Sequence, residues 1–350
     1  MVFQVRLEPS GKTFDSAAEE TILEAALRSG VMLPYSCRDG LCGACRGKIL
    51  SGEFEPGNAS SQALSDADRA QGMALLCCAR ARSDLRVEAR EAPPAGAVAA
   101  RTLPVRVEKL ERLAPDVMLV ELRLPGSEPF SYLPGQYIDI LMSGGRRRAF
   151  SLASAQASGA TLQLHVRHIR GGEFTGHVFE TMKVRDLLRI HGPHGSFFLR
   201  EDSGKPMVLV ARGTGFAPIK AIVEHALARG NPRPIYLYWG GKRRRDLYLD
   251  ALARGWAAGH AHLRYVPVLS APDEGDAWRG RTGALHDAVL EDIPDLSGFQ
   301  VYACGAPGMV AAAREAFIAR GALPEGEFIA DAFEYANDPA TVSNVATSPG

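Results

Sequence analysis

At 350 residues the chain is long enough for two or three domains, and its 46% hydrophobic content furnishes ordinary globular cores. Its 40 basic and 40 acidic residues cancel, which removes a polybasic face for nucleic acid or anionic lipid, and no apolar run approaches the ~18 residues of a bilayer span. Six cysteines and no secretory leader pattern point to a reducing compartment, so the expectation is a cytoplasmic protein with no membrane or nucleic-acid partner.

Residues 2–7 alternate apolar and polar side chains, as a half-buried strand does. Thr21 to Arg28 is helical in composition, with Gly30 placed to end it. The run Y-S-C-R-D-G-L-C-G-A-C-R-G follows, with Cys37, Cys42 and Cys45 in a C-x4-C-x2-C pattern and Cys77 32 positions further on. Three thiolates on one tight loop and a fourth returning from elsewhere is the plant-type arrangement for a 2Fe–2S cluster. Gly40, Gly43 and Ala44 let backbone N–H groups close around inorganic sulfide. Zinc would favour paired C-x2-C elements or added histidines, and L-L-C-C-A around Cys77 supplies neither. Cys78 leaves an ambiguity, because a shift of one residue reverses side-chain direction in extended chain. A one-electron cluster means that the protein moves electrons.

On these residues, 1–91 resemble a plant-type ferredoxin domain. The chain from about residue 2 to 333 resembles the ferredoxin-fused members of the ferredoxin–NADP reductase superfamily. These include reductase components of bacterial oxygenases and the CDP-6-deoxy-glucoseen reductases of the ascarylose pathway. The resemblance implies a multidomain α+β and α/β protein: a β-grasp 2Fe–2S ferredoxin at 1–91, an antiparallel β-barrel for FAD at 102–203, and a Rossmann-like parallel-sheet NAD(P) domain at 204–333. Between Arg90 and Arg101 the sequence E-A-P-P-A-G-A-V-A-A has nothing to bury, and a linker is expected at 92–101. The polar, turn-rich 334–350 is expected to be a mobile tail.

Residues 102–200 read as short strands, with Leu162, Leu164 and Val166 alternating and turns at Pro134-Gly135 and Gly144-Gly145. Arg148-Ala149-Phe150-Ser151 resembles the family's R-x-Y-S signature, with Phe in place of Tyr. An Arg suits a pyrophosphate, and an aromatic two residues on shares its strand face and can pack on the isoalloxazine. Ser151 is expected to hydrogen-bond near the flavin N5. Taken without its context, the four-letter match is also that of an ordinary strand. Gly172, Glu173, Phe174 and Thr175 stand just before a helical stretch, where backbone N–H groups suit a pyrophosphate. His165, Val166 and Arg167 match the strand that lies along the flavin in the family.

From Lys205 the pattern changes to alternating strands and helices: apolar Met207 to Ala211, helical Ala217 to Arg229, then strands at Ile235 to Trp239, Leu263 to Leu269 and Gln300 to Cys304, and a helix over Gly308 to Arg320. Gly213, Thr214, Gly215 and Pro218 follow the first strand and open a helix, as a dinucleotide site requires. Arg212 stands where the family keeps a small residue; it either crowds the dinucleotide or reaches a phosphate. Cys304, Gly305, Pro307 and Met309 resemble the family's C-G-x-P-x-M segment, whose Cys lies by the nicotinamide C4. The bland reading of Cys304 is a small buried hydrophobe. Lys242 to Arg245 is either a solvated turn or a grip on a 2′-phosphate. Phe333 matches the aromatic that shields the flavin, with core packing as the alternative. His191 and His194 in H-G-P-H-G read as surface or loop histidines with no carboxylate at ligand spacing.

The expected function is that of an oxidoreductase passing electrons from NADH, with NADPH also allowed, through FAD and the cluster to a one-electron acceptor protein such as an oxygenase or deoxysugar dehydratase component. Ser151 and Cys304 carry the expected catalytic roles, and a monomer is expected. A free-standing flavin or ferric reductase and a non-catalytic electron carrier remain the alternatives.

Overall fold

A computed structural model describes residues 1–92, 100–126, 130–155 and 161–333. The tail expected at 334–350 and residues 93–99 of the expected linker lie outside the described residues.

Strands β1 (Val2–Glu8), β2 (Thr13–Ala17), β3 (Arg46–Ser51), β5 (Met73–Leu75) and β7 (Leu85–Glu88) form the first sheet in the order β2-β1-β7-β3-β5; β4 (Phe54–Glu55) and β6 (Arg80–Ala81) pair separately. β1 and β7 are parallel, while β2, β3 and β5 join antiparallel. Helix α1 (Ile22–Arg28) buries Ile22, Leu23, Ala25 and Ala26 against this sheet, and α2 (Asp66–Ala70) lies outside. Thr21, expected inside the helix, is its N-cap: its hydroxyl accepts from Glu24 N at 3.2 Å, and its own N donates to Glu24 Oε2 at 2.9 Å. This is a β-grasp layer with the cysteine loop between α1 and β3.

The next six strands are β8 (Arg101–Ala114), β9 (Val117–Arg123), β10 (Tyr137–Leu141), β11 (Arg147–Ser151), β12 (Thr161–Arg167) and β13 (Leu187–His194). Their order is β11-β10-β13-β8-β9-β12, and an antiparallel bridge between Leu152 and Leu164 brings the two ends together. Closure removes exposed edges and surrounds a core that includes Val105, Val120, Ile138, Leu164 and Val166. The turn before β10 requires Gly135: its φ is +106°, and a Cβ would meet Phe197 O at 2.4 Å. Helix α3 (Glu173–Glu180) covers one end of the barrel.

The last layer is a fully parallel sheet in the order β17-β16-β15-β14-β18-β19: β14 (Met207–Arg212), β15 (Ile235–Gly241), β16 (Leu263–Leu269), β17 (Arg281–Thr282), β18 (Gln300–Gly305) and β19 (Phe328–Ala332). Helices α4 (Phe216–Ala228), α5 (Asp250–Gly259), α6 (Leu285–Asp292) and α7 (Pro307–Ala319) pack on it, and its core holds Tyr238, Trp239 and Tyr302. The strand order reverses between β14 and β18, the point where open α/β sheets bind ligands.

The three parts meet at the cysteine loop. Tyr35 N donates to Ser196 Oγ at 2.8 Å, and Tyr137 Oη donates to Ser36 O at 2.9 Å. Cys42 is buried against Val310 of α7 and Ala332 of β19.

Candidate redox site

The thiols of Cys37, Cys42, Cys45 and Cys77 converge. Cys37 lies within hydrogen-bonding reach of Cys42 and Cys77, and Cys77 also reaches Cys45. Bonds from Cys42 and Cys77 pull the Cys37 thiol far below its ordinary range. Asp39 N and Leu41 N each stand 3.4 Å from Cys37 Sγ, and Ala44 N stands 3.4 Å from Cys42 Sγ. Gly40 makes this wrap possible, since at φ +75° a Cβ would meet Asn58 O at 2.6 Å. A four-thiol donor set, with Cys42, Cys45 and Cys77 buried and Cys37 partly exposed, and with amides turned toward sulfur, fits an iron–sulfur cluster. The sulfur of Cys78 lies 3.7 Å from Cys77 Sγ and 3.7 Å from Asn58 O, packed against Gly40, and is not among the partners of Cys37.

The cysteine loop also forms one wall of a mixed polar and apolar cavity. Ser36, Cys37, Asp39 and Leu41 line it together with Arg148, Ala149, Phe150 and Ser151 of β11, and His165 and Arg167 of β12. Gly172, Phe174 and Thr175 at the start of α3, Thr214 and Phe333 complete the expected residues found there. Arg167 Nη1 pairs with Asp116 at 2.7 Å, yet its buried Nε has no partner among the described residues. Gly172 packs closely on Thr175, where a Cβ would come within 2.6 Å of Oγ1, and no side-chain hydrogen bond caps the start of α3 there. The rings of Phe150 and Phe174 lie 5.2 Å apart. An orphaned guanidinium nitrogen, a bare helix start and aromatic walls fit an anionic flavin nucleotide.

Three residues expected at the flavin make contacts elsewhere. Val166 points into the barrel core. Glu173 turns outward to pair with Arg146. His165 Nδ1 lies 2.9 Å from the Tyr248 hydroxyl and so ties the barrel to the parallel sheet. Burial lowers the His165 pKa to about 3, leaving it neutral.

On the nucleotide side, Gly213, Thr214 and Gly215 form a single turn between β14 and α4, and Pro218 is buried in the first turn of α4. A Cβ on Gly215 would lie 2.2 Å from Cys304 O, so this loop and the end of β18 require glycine at their contact. That bare contact at the sheet's switch point, opening a helix, fits a dinucleotide. Cys304 is fully buried, and burial raises its thiol well above the ordinary range. Gly305 sits between Arg212 and Met309, and Pro307 opens α7. Met309 packs toward Cys37 and Cys42 instead of lining the flavin cavity. Arg212 is exposed at the end of β14 and has no acidic partner among the described residues. In the Lys242 to Arg245 turn, Arg243 pairs with Asp273, and the Asp246 carboxylate accepts from Lys242 N and Arg243 N at 2.8 and 2.9 Å.

Sequence reasoning missed Asp331. It is buried on β19, bonds the Ser36 hydroxyl beside the cysteine loop, stands 3.4 Å from Ser151 Oγ and reaches the Cys304 thiol. Burial raises its pKa to about 6, against the bond from Ser36. Its only local signal is an acid inside the apolar run F-I-A-D-A-F. The reading of His191 and His194 as loop histidines without a carboxylate is corrected. Both belong to β13, His194 is buried, and Asp139 lies across the strand pair. The spacing rule failed because antiparallel pairing supplies the carboxylate from 52 residues away in sequence.

The chain matches the models of a 2Fe-2S iron-sulfur cluster binding domain over residues 5–82, an oxidoreductase FAD-binding domain over 104–199 and an oxidoreductase NAD-binding domain over 209–315. It is 42% identical over 333 residues to the CDP-6-deoxy-L-threo-D-glycero-4-hexulose-3-dehydrase reductase of Yersinia pestis, covering 95% of this chain and 99% of that one. It is 40% identical over 332 residues to the reductase subunit of an aromatic O-demethylase from an Amycolatopsis species, covering 93% and 96%. The crystal structure of Amycolatopsis cytochrome P450 reductase GcoB superposes with a TM-score of 0.73 at 36% identity, covering 95% and 98%. No helix of the described residues is long and apolar enough to cross a membrane. With its 2Fe–2S, FAD and NAD modules in one chain, the protein belongs to the ferredoxin-fused ferredoxin–NADP reductase family and is an NAD(P)H-dependent oxidoreductase that delivers electrons to an acceptor partner.

Proposed function

We propose that the cavity shared by the flavin strand and the cysteine loop is the transfer point of this reductase, and that Cys37, Cys42, Cys45 and Cys77 hold the cluster. The observation that carries this reading is that Ser36, Cys37, Asp39 and Leu41 line the same space as Ser151 and Thr214. Bound FAD supplies the exchange between two-electron and one-electron chemistry. Arg148 and Arg167 hold its pyrophosphate with the amides at Gly172 to Thr175, while Phe150, Phe174 and Phe333 pack on the ring. Ser151, facing Asp331 at 3.4 Å, offers its hydroxyl to the ring edge where hydride arrives. Gly213, Thr214 and Gly215 seat the dinucleotide, Arg212 reaches its phosphates, and Cys304 with Gly305 sets the nicotinamide against the flavin.

The acceptor is a one-electron protein partner, a deoxysugar dehydratase or an oxygenase component, as the named relatives serve. The protein acts as a cytoplasmic monomer, divided near residues 92–101 and 203.

Anaerobic titration of the holoprotein with NADH tests this reading. The expected result is loss of flavin absorbance accompanied by the rhombic electron-spin signal of a reduced four-thiolate cluster. Bleaching without a cluster signal would instead mark a flavin reductase, and no bleaching a non-catalytic carrier. Reconstitution with a dehydratase and with an oxygenase component separates the two acceptor classes.

A further inference from the structure

Asp139, His191 and His194 form a cluster outside the residues given redox roles above. Asp139 on β10 lies opposite His191 on β13, and His194 lies opposite Tyr137. One potential ligand atom from each residue falls within 4.8 Å of the others. His191 Nδ1 is 3.0 Å from His194 Nε2, which is 3.6 Å from Asp139 Oδ2. Bonds of ~2.0–2.1 Å at tetrahedral angles place neighbouring ligand atoms about 3.3 Å apart, and the two separations bracket that value.

The donors are held in place. His194 and Asp139 are only 5% and 8% exposed. Burial lowers the pKa of both imidazoles, that of His194 to about 3, so each is neutral and keeps a lone pair. Without a metal, one ring nitrogen donates to the other across the 3.0 Å gap. With a metal, the half-buried His191 places its proton on Nε2 and presents Nδ1 to the ion. Two cations oppose binding. Arg147 lies 3.7 Å from Asp139 Oδ2, but its side chain is 55% exposed and can turn to water. Arg38 stays close enough to act on Asp139 and both histidines, which lowers affinity without blocking the ligand atoms.

We propose that Asp139, His191 and His194 bind a divalent transition metal of the zinc class. Two imidazoles and one carboxylate suit such an ion and do not suit calcium or magnesium. The site lies on the barrel beside Tyr137, whose hydroxyl donates to Ser36 O, so the metal would sit at the seam with the cysteine loop.

The test uses holoprotein of known iron content, equilibrated with zinc chloride, washed, and analysed for both metals. About one zinc per chain is expected with iron unchanged. His191→Ala and His194→Phe should each weaken zinc binding at least as much as the roughly 10–100-fold that loss of an outer partner costs. Iron and flavin contents report whether His194→Phe folds, and His191→Ala, at a half-buried position, carries the test if it does not. No zinc uptake, equal uptake by wild type and His191→Ala, or zinc that enters only as iron leaves would overturn the proposal.

Discussion

Cys77 and Cys78 are adjacent and their sulfurs lie 3.7 Å apart, so the partners of each sulfur distinguish the ligand from its neighbour. Cys77 reaches Cys37 and Cys45, whereas Cys78 lies by Cys77, the Asn58 carbonyl and Gly40. Cys77→Ala should therefore abolish the cluster, and Cys78→Ala should keep it, as measured by iron content and visible absorbance. A reversed result would move the fourth ligand by one residue. His165 makes a prediction in pH. Its folded pKa of about 3 lies below the ordinary 6.5, chiefly because burial penalises the cation. Below pH 6.5 the unfolded chain takes up a proton that the folded chain refuses, so stability is full above 6.5 and falls toward pH 3. The slope is about 1.4 kcal/mol per pH unit for one such group. His165→Gln should flatten the acid side of a denaturation-versus-pH curve, leaving the part due to His194; an unchanged slope would contradict the buried neutral imidazole. At this scale, legibility followed sequence distance. The loop cysteines stand three and five apart, and their spacing alone announces a metal. Asp331 meets Ser36 across 295 positions and Ser151 across 180, so only the folded chain brings it to the site.

Among the elements, the strongly apolar strands and helices were readable, as β14 illustrates by burying five of its six residues and α4 by burying nine of thirteen. Helix α5 buries only Ala253 fully, while β19 is five residues long with its buried residues confined to its end. The turn joining β14 to α4 depends on what Arg212 does. Arg212→Ser should raise KM for NADH and NADPH alike and leave kcat nearly unchanged, the pattern of lost uniform binding to a phosphate present in both. A loss confined to NADPH would assign the side chain to the 2′ group, and a lower KM would show that it crowds the site. β19 makes a separate prediction through the bond between Ser36 and Asp331. Ser36→Ala removes a contact of the cysteine loop but none of the nucleotide loop. In stopped-flow experiments, flavin bleaching by NADH should keep its rate while cluster reduction slows. Equal slowing of both steps would make Ser36 a general packing residue.

In the whole molecule, the β-grasp layer rests on both the barrel and the parallel sheet through Tyr35, Ser36 and Cys42. The barrel and parallel sheet are joined independently, by His165 with Tyr248 and by Lys220, whose Nζ donates to Ala153 O at 2.9 Å and to Gln163 Oε1 at 3.2 Å. A fragment of residues 102–350 should thus bind flavin and reduce ferricyanide with NADH, yet reduce cytochrome c poorly; cytochrome c activity equal to that of the full chain would mean that electrons do not leave through the cluster. The order of the three modules was legible because each carries its own local signature, whereas their mutual seating was not, since no short motif records which surfaces touch. That seating has a kinetic consequence. Because the cysteine loop is itself a wall of the flavin cavity, the flavin-to-cluster step has no encounter between separate molecules. Its rate should be first-order and indifferent to dilution, and far less sensitive to added salt than delivery to the external acceptor, which retains a diffusive, screenable collision.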